Sequence, residues 1–170
     1  NFTLIGAMNP CPCGYYNHPT KECSCQPFAI NRYFSRISGP LLDRIDMHIE
    51  VVPVPLSEIN GEQVEESSAE IRKRVIAARE IQSRRFAGTS IHSNAMMNSA
   101  MLRTFCPLQA DVRALLERAM ERLNLSARAY DRIIKVARTI ADLAGAEHIE
   151  ASHIAEAINY RTLDRDSWGR

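Results

Sequence analysis

Four of the five cysteines in this 170-residue chain lie close together, as two Cys-x-Cys pairs separated by nine residues. The pairs are Cys11 with Cys13 and Cys23 with Cys25. Four soft ligands can close a tetrahedral shell around Zn²⁺, and the intervening residues are long enough to turn out and return. Gly14 can supply a positive φ for that turn, and His18 lies inside it as an alternative ligand. A structural zinc site would fix the path of this whole segment.

Two other interpretations of the cysteines stay open on the sequence alone. A disulfide needs an oxidising compartment, and a bond within a Cys-x-Cys pair would be strained. The four could also be small buried thiols that bind nothing. Cys106, which precedes Pro107 far along the chain, is typical of a core position. A zinc ion with four protein ligands has no open position for water, so its expected role is structural and not catalytic.

The composition is that of an ordinary globular protein and excludes several functional classes. The chain is 45% hydrophobic and 24% charged, with a formal net charge of +1. Bulk charge therefore gives no argument for nucleic acid or membrane binding. No apolar run approaches the roughly 20 residues of a membrane span, and no secretory signal is present. We expect a cytoplasmic location and no membrane partner.

Several common catalytic motifs are missing from the sequence. There is no G-x-x-x-x-G-K-[ST] phosphate-binding loop, no G-x-S-x-G nucleophile elbow and no H-E-x-x-H zinc motif. The five histidines are scattered along the chain. The 170 residues therefore carry no complete active site of these kinds.

Differences in composition predict a mixed α/β fold that is mostly α. Residues 1–55 hold the strand signals, since "FTLIGA" is a continuous apolar run and "DMHIEVVPV" alternates with period two. Nothing precedes the first run to pair with it, so we expect a piece of a longer protein. Residues 56–93 predict a helical insert, in which acidic residues precede basic ones as the helix dipole favours. Its predicted apolar stripe is narrow and consists of Ile71, Val75, Ala78 and either Ile81 or Gln82. Residues 94–165 predict an all-helical bundle, whose last helix has Ile154, Ala157 and Ile158 facing inward, and residues 166–170 predict a tail.

The stretch "LSARAYDRIIKVARTIADLAG" gives the clearest helix of the bundle. Ser126 is a favourable N-cap and Gly145 a favourable C-terminal stop. The predicted buried positions are Ile133, Ala137, Ile140 and Ala144. Arg138 and Asp142 form an opposite-charge pair at i, i+4.

Three polar side chains are candidate site residues, each with a simpler alternative. Asn9 follows an apolar run, and ligands bind beyond the carboxyl ends of strands in open α/β sheets, although alone it favours an Asn-Pro turn. Arg44 lies between two acidic residues in "LLDRID". It could be offered to a partner's phosphate or form a solvated ion pair with its neighbours. Arg128 opposes the dipole in the first turn of its helix, which indicates either a nearby anion or simple exposure to solvent.

In this order, the features resemble the second half of an AAA+ ATPase. The chain is similar to the magnesium-chelatase-like family typified by the competence protein ComM, also called YifB. The similarity lies in "AMNPCPCGYY", "RYFSRISGPLLDRIDMHIEV", "LSARAYDRIIKVARTIADLAG" and "HIAEAINYR", which together span nearly the whole chain. It implies the C-terminal strands of an AAA+ core sheet with a Cys-rich loop, then a long helical insert, then an all-α lid.

The resemblance also implies roles for single residues. Asn9 would be sensor 1, which orients the attacking water, and Arg44 the arginine finger, which reaches the ATP of a neighbouring subunit. These two are the candidate catalytic residues. Arg128 would be sensor 2 and would face the nucleotide. Arg132 is a further cofactor-binding candidate, and Arg138 on the same helix is a weaker one.

A function follows from the same resemblance. It implies a ring-forming, hexameric ATPase that uses ATP and Mg²⁺, with its Walker segments upstream of Asn1 and no activity in the 170 residues alone. The cysteine loop and "ARTIADLAG" favour a DNA motor for branch migration in recombination and natural transformation. The alternative is a magnesium chelatase ATPase subunit that remodels a protein or drives metal insertion. A non-enzymatic zinc-binding interaction module is a second alternative.

Overall fold

All regular structure in the described part of the chain is helical. The computed structural model describes residues 2–54 and 66–161. In chain order the helices of these residues are α1 (Pro27–Phe34), α2 (Gly39–Leu42), α3 (Ser68–Arg85), α4 (Ser99–Phe105), α5 (Ala110–Arg122), α6 (Ala127–Leu143) and α7 (Ala151–Asn159), with a 3₁₀ turn at Asn94–Met96. Part of the predicted helical insert, residues 56–65, and the predicted tail, residues 166–170, lie outside the described residues.

The predicted mixed α/β fold class is wrong for the residues described, which contain no β-strand. Both runs that were expected to be strands of an AAA+ core sheet are irregular and mostly exposed, with Phe2 91% and Val51 85% accessible to solvent, although His48 of the second run is buried. A strand exists only when a neighbour completes its hydrogen-bonded ladder, and neither run pairs with the other. The apolar pattern indicates what a segment would bury, but it does not supply the partner that makes a sheet.

The main hydrophobic core lies in residues 66–161, here called the helical bundle. Helix α6 is its central element, because it contacts α3, α4, α7 and the 3₁₀ turn. The core includes Phe86, Met97, Leu102, Val112, Leu116, Ile133, Ala137, Ile149, Ile154 and Ala157. The sequence pattern correctly predicts the inward positions of α7, namely Ile154, Ala157 and Ile158.

Both predicted ends of α6 are confirmed by their capping geometry. The Ser126 hydroxyl accepts a hydrogen bond from the amide of Ala129 at 3.2 Å, as an N-cap residue does. Gly145 follows the last turn with φ of +69°, a left-handed conformation that glycine adopts without steric cost. Local sequence therefore determines where this helix begins and ends.

The buried face of α6 is wider than the predicted stripe. Ile133 and Ala137 are buried as expected, whereas Ala144 is exposed. Burial continues instead through Ala141 and reaches the charged residue Asp142. Helix α3 packs against this side of α6, so polar positions that would otherwise face water are enclosed.

Asp142 is the centre of a buried polar network that joins α3, the 3₁₀ turn and α6. Its carboxylate accepts from Arg85 Nη1 at 2.7 Å, from Asn94 Nδ2 at 2.8 Å and from Arg138 Nε at 3.1 Å. The last contact confirms the predicted i, i+4 pair. Arg138 also donates to the carbonyls of residues 146 and 147, and burial lowers its pKa. We call these four side chains the Asp142 network.

Candidate functional site

The four clustered cysteines converge on one point. Their Sγ atoms all lie within 4.8 Å of one another. Cys11 is 3.3 Å from Cys13 and 3.7 Å from Cys23, and Cys13 is 3.5 Å from Cys23. A tetrahedral zinc site with Zn–S bonds of about 2.3 Å places its sulfurs about 3.8 Å apart. The donor set, which includes Cys25 and is called the cysteine cluster below, therefore fits a tetrahedral metal ion.

Sulfur geometry also bears on the disulfide interpretation. All five cysteines are free thiols, and the short Cys11–Cys13 approach of 3.3 Å is far longer than the roughly 2.05 Å of a disulfide bond. The remaining cysteine, Cys106, is buried in the core of the helical bundle, where the sequence predicts it. The cluster therefore has the form of a chelating site.

A tight turn brings the first pair of sulfurs together. The amide of Gly14 donates to the carbonyl of Cys11 at 3.1 Å, which closes a four-residue turn with Pro12 at its second position. Gly14 has φ of +84°, and the space around it is open, so the backbone angle and not crowding requires glycine. The turn points both cysteine side chains of the first pair to the same side.

His18 shapes the loop between the two cysteine pairs and is not one of the clustered donors. Its Nδ1 atom accepts from the amides of Thr20 at 3.2 Å and Lys21 at 3.1 Å. Its ring lies edge-on to Tyr15, with centroids 5.6 Å apart. The alternative in which His18 replaces a cysteine is therefore less consistent with the structure than a set of four thiols.

Only a small core supports the cysteine cluster. Cys11 is fully buried against Ile30 and Phe34 of helix α1. Tyr16 packs edge-on against Phe34, with ring centroids 6.2 Å apart. These few apolar contacts are too small a core to stabilise a segment of this size alone. A metal ion bound by the four sulfurs would supply stability that this small core lacks.

Thiol ionisation is uneven within the cluster. Hydrogen bonds from the Tyr15 amide and from Cys11 lower the pKa of Cys13 to about 6. Burial raises the pKa of Cys25. Four thiolates this close would repel one another, so full ionisation requires a cation between them.

The candidate arginine finger lies on a short helical segment outside the cysteine cluster. Ser38 caps α2 by accepting from the amide of Leu41 at 3.3 Å. Arg44 follows α2, is exposed, and donates from Nη1 to the carbonyl of Pro40 at 2.6 Å. We call residues 39–48 the arginine segment. The guanidinium of Arg44 is thus held close to its own helix and faces solvent.

Two acidic residues of the arginine segment contact the first turns of α6. Asp43 accepts from the Ser126 hydroxyl at 2.6 Å and lies 3.7 Å from Arg128 Nη1. Asp46 pairs with Arg132. The two acidic residues that flank Arg44 in sequence therefore contact the two candidate nucleotide-contacting arginines, Arg128 and Arg132.

Residues that follow the end of α7 also contact the arginine segment. Arg161, which is 1% exposed, donates to the carbonyl of Ile45 and lies 3.9 Å from Asp43. The amide of His48 donates to the carbonyl of Tyr160 at 2.7 Å. These contacts, which join residues more than a hundred positions apart, have no signature in the sequence pattern.

Two other candidates lie apart from this surface. Asn9 is exposed, two positions before Cys11, and takes no part in the contacts described between the arginine segment and the helical bundle. The guanidinium of Arg138 is buried in the Asp142 network. Arg138 therefore has a structural role. The sequence pattern indicated its pair with Asp142 but not the burial of its guanidinium.

Comparison with known proteins separates the chain into two regions. Residues 65–161 match the family model described as magnesium chelatase, subunit ChlI C-terminal, and residues 1–59 match magnesium chelatase, subunit ChlI. The chain belongs to the magnesium chelatase ChlI family. The resemblance inferred from the sequence is thereby confirmed.

Individual relatives agree with this assignment. The ChlI-family chain is 44% identical to competence protein ComM of Haemophilus influenzae over an aligned stretch of 165 residues, which is 96% of this chain. It is 42% identical over 166 residues to the uncharacterised protein YifB of Escherichia coli and equally to YifB of Salmonella typhimurium. The chain spans 31% of the length of each of these relatives.

The two matched regions of the ChlI-family chain contact each other where the arginine segment meets α6. The arginine segment lies in the first region, and the helical bundle in the second. The pairs Asp43–Arg128 and Asp46–Arg132 thus join the two family regions. Among the helices described, none has the length and apolar character needed to cross a membrane.

Proposed function

We propose that this chain is the nucleotide-sensing part of a ring-forming ATPase that takes its phosphate-binding loop from elsewhere in a longer protein. The observation that carries the proposal is that Asp43 and Asp46, which lie on either side of Arg44 in sequence, pair with Arg128 and Arg132 of α6. Guanidinium groups bind phosphate through two parallel hydrogen bonds, and such groups stabilise charge on a transferring phosphoryl group. ATP and Mg²⁺ are the cofactors of this proposal.

Each candidate has a distinct role in the proposed ATPase. Arg44 serves as the arginine finger for a nucleotide on a neighbouring subunit, which its exposed position supports. Arg128 and Arg132 contact nucleotide phosphate from α6. Asn9 orients the attacking water. A hexameric ring is the assembly in which a finger supplied between subunits completes each site.

The cysteine cluster is proposed as a structural zinc site. Four thiolates would hold the ion, which would close the loop that follows Asn9 and replace a larger apolar core. The Sγ distances of 3.3 to 3.7 Å and the absence of any disulfide among the described cysteines support this assignment. A reducing, cytoplasmic location is consistent with these free thiols.

The substrate of the proposed motor is DNA. The 44% identity to a competence protein supports an ATP-driven role in branch migration during recombination and natural transformation. A chelatase-type subunit that drives metal insertion is the second candidate, and the descriptions of both matching family models favour it.

We expect DNA to stimulate ATP hydrolysis by the longer protein that this proposal requires. Turnover would be measured with and without branched and linear duplexes at fixed ionic strength, since phosphate contacts depend strongly on salt. A porphyrin or a protein partner tested in the same way is the matched comparison. Stimulation by those partners and not by DNA would favour the chelatase-type function.

In that longer protein, Arg44→Ala should lower kcat by about 10³-fold or more while leaving nucleotide affinity nearly unchanged. The reason is that a finger supplied in trans contacts the transition state of a nucleotide bound mainly by other residues. Single-turnover hydrolysis and nucleotide titration separate the two quantities. Arg103→Ala, which removes an exposed arginine from α4, is the control. Retained turnover in Arg44→Ala would refute the finger role.

A further inference from the structure

Two acidic residues lie on either side of Arg44 in sequence, but their ion pairs in the structure are with other arginines. Asp43 and Asp46 pair instead with Arg128 and Arg132 on α6. We propose that these two aspartates form a latch, which holds the arginine segment on the helical bundle until phosphate takes up the α6 arginines. The inference rests on the proposed function, because it treats Arg128 and Arg132 as phosphate-binding residues.

Asp43 is the better buried half of the latch. Its side chain is 21% exposed and accepts from the Ser126 hydroxyl at 2.6 Å. Arg128 approaches it at 3.7 Å but remains 68% exposed. A long contact from an exposed arginine is weakly bound, so Arg128 can turn to another anion while Asp43 keeps its bond to Ser126.

Asp46 and Arg132 have the opposite balance. The Asp46 side chain is 58% exposed, whereas Arg132 is 25% exposed and lies along the helix surface. Arg132 is therefore the better fixed partner, and Asp46 is the one that moves away when the pair opens. The two pairs lie one helical turn apart on α6, so a single phosphate chain can compete for both arginines.

Competition follows from the donor geometry of arginine. A guanidinium that presents its fork to a carboxylate cannot present the same fork to a phosphate. A polyphosphate carries more negative charge than one carboxylate and can bridge two arginines. Phosphate at Arg128 and Arg132 would therefore release Asp46 and would remove one contact of Asp43, which would stay bonded to Ser126 and 3.9 Å from Arg161.

A hinge remains after the latch opens. The carbonyl of Ile45 is held by the buried Arg161, and the amide of His48 is held by Tyr160. The guanidinium of Arg161 is only 1% exposed, so it is far less accessible to phosphate than those of Arg128 and Arg132. With Asp46 released and Asp43 held by fewer contacts, residues 43–46 would move more freely, and Arg44 with them. Phosphate binding by the α6 arginines would thus be coupled, through the two aspartates, to the position of Arg44.

The latch can be tested on the 170-residue chain by hydrogen exchange with mass spectrometry. In a variant carrying Asp43→Asn and Asp46→Asn, amides of residues 41–46 should exchange about fivefold faster, because the change removes the ion pairs with Arg128 and Arg132 and weakens the contact between Asp43 and Arg161. The control is Asp131→Asn, which removes one carboxylate charge from α6 at a residue bonded to Ser99 and not to the arginine segment. Unchanged exchange in the double variant would refute the latch.

A double-mutant cycle shows whether the effect belongs to the pair. In a chain that already carries Arg132→Gln, Asp46→Asn should not change the exchange rate of residues 41–46 further. Asp46→Glu, which keeps the carboxylate, should exchange as slowly as the unmodified chain. Additive effects would indicate that Asp46 and Arg132 act on the segment independently, which contradicts the proposal.

Inorganic tripolyphosphate is the probe for the competition. It should accelerate exchange of residues 41–46 in the unmodified chain and have no effect in a variant with Arg128→Gln and Arg132→Gln. No change, or slower exchange, in the unmodified chain would refute the coupling. These outcomes do not depend on ATP hydrolysis. Loss of the finger role in the Arg44→Ala experiment would remove the proposed function and leave the measured latch in place.

Discussion

Removing the proposed zinc ion from the cysteine cluster should unfold residues 8–34 and leave the helical bundle folded. The cluster rests on a core in which only Cys11, Ile30 and Phe34 are buried. Helix α1 has eight residues, fewer than an isolated helix needs for stability in water. Structural zinc sites contribute roughly 10–16 kcal/mol of apparent binding free energy, far more than this small core can supply. The bundle has its own core and needs no metal from the cluster.

Hydrogen exchange before and after chelation is the measurement for this prediction. Peptides from residues 8–34 should lose protection, while those from α6 should not change. Elemental analysis should find one zinc per chain before chelation, and Cys11→Ser should abolish it. Cys106→Ala is the matched control, since it removes a thiol outside the cluster. Protein that purifies without zinc, with residues 8–34 already protected, would contradict the assignment.

Thiol labelling gives a second view of the same experiment. Burial raises the pKa of Cys106 to about 11, so this thiol stays protonated at pH 8. Only thiolates react readily with disulfide reagents. Chelation should therefore expose four reactive thiols and not five. Cys106 should become reactive only when the helical bundle itself unfolds.

The substitution Asp142→Ala should destabilise the helical bundle by about 3–5 kcal/mol, a large part of the stability of a domain this size. The change removes the shared acceptor of Arg85, Asn94 and Arg138. Arg138 is 3% exposed, so its charge would remain buried without its carboxylate. Breaking a buried pair from one side costs this much because the remaining ion cannot reach water.

Urea unfolding followed by circular dichroism measures this loss. Asp142→Asn, which keeps the shape and an acceptor oxygen but not the charge, should fall between the unmodified chain and Asp142→Ala. Glu70→Ala removes a carboxylate from the exposed pair with Lys73 and should cost less than about 1 kcal/mol. Equal losses in Asp142→Ala and Glu70→Ala would show that the network contributes no more than a surface ion pair.

The sequence predicts the helices of the bundle well because their signals are local. Caps such as Ser126 and spacing such as Ile154, Ala157 and Ile158 act within one or two turns. The strand predictions fail because the stability of a strand depends on a partner that no local pattern reveals. The apolar stripe predicted for α3 is right at Ala78, but Val75 is 47% exposed.

Prediction of the candidate site divides in the same way. The cysteine cluster could be predicted from ligand number and spacing, since all four thiols lie in one loop. The partners of Asp43 and Asp46 could not, because the nearest charge in sequence was Arg44 and the true partners lie more than eighty positions away. An arginine in the first turn of α6, against the dipole, was the one available signal that an anion lies near Arg128.

The two irregular apolar runs have a consequence for how the chain behaves in solution. Phe2 and Ile5 at one end of the first region, and Ile49 and Val51 at the other, expose large apolar side chains on backbone that no strand covers. Unpaired extended backbone of this kind is a template for strand addition, and a second chain can serve as well as an intended neighbour. Pro53, which cannot donate to a ladder, limits how far such pairing could spread along the second run. We therefore expect self-association of the purified chain to increase with concentration and to decrease when charged residues are substituted within these runs.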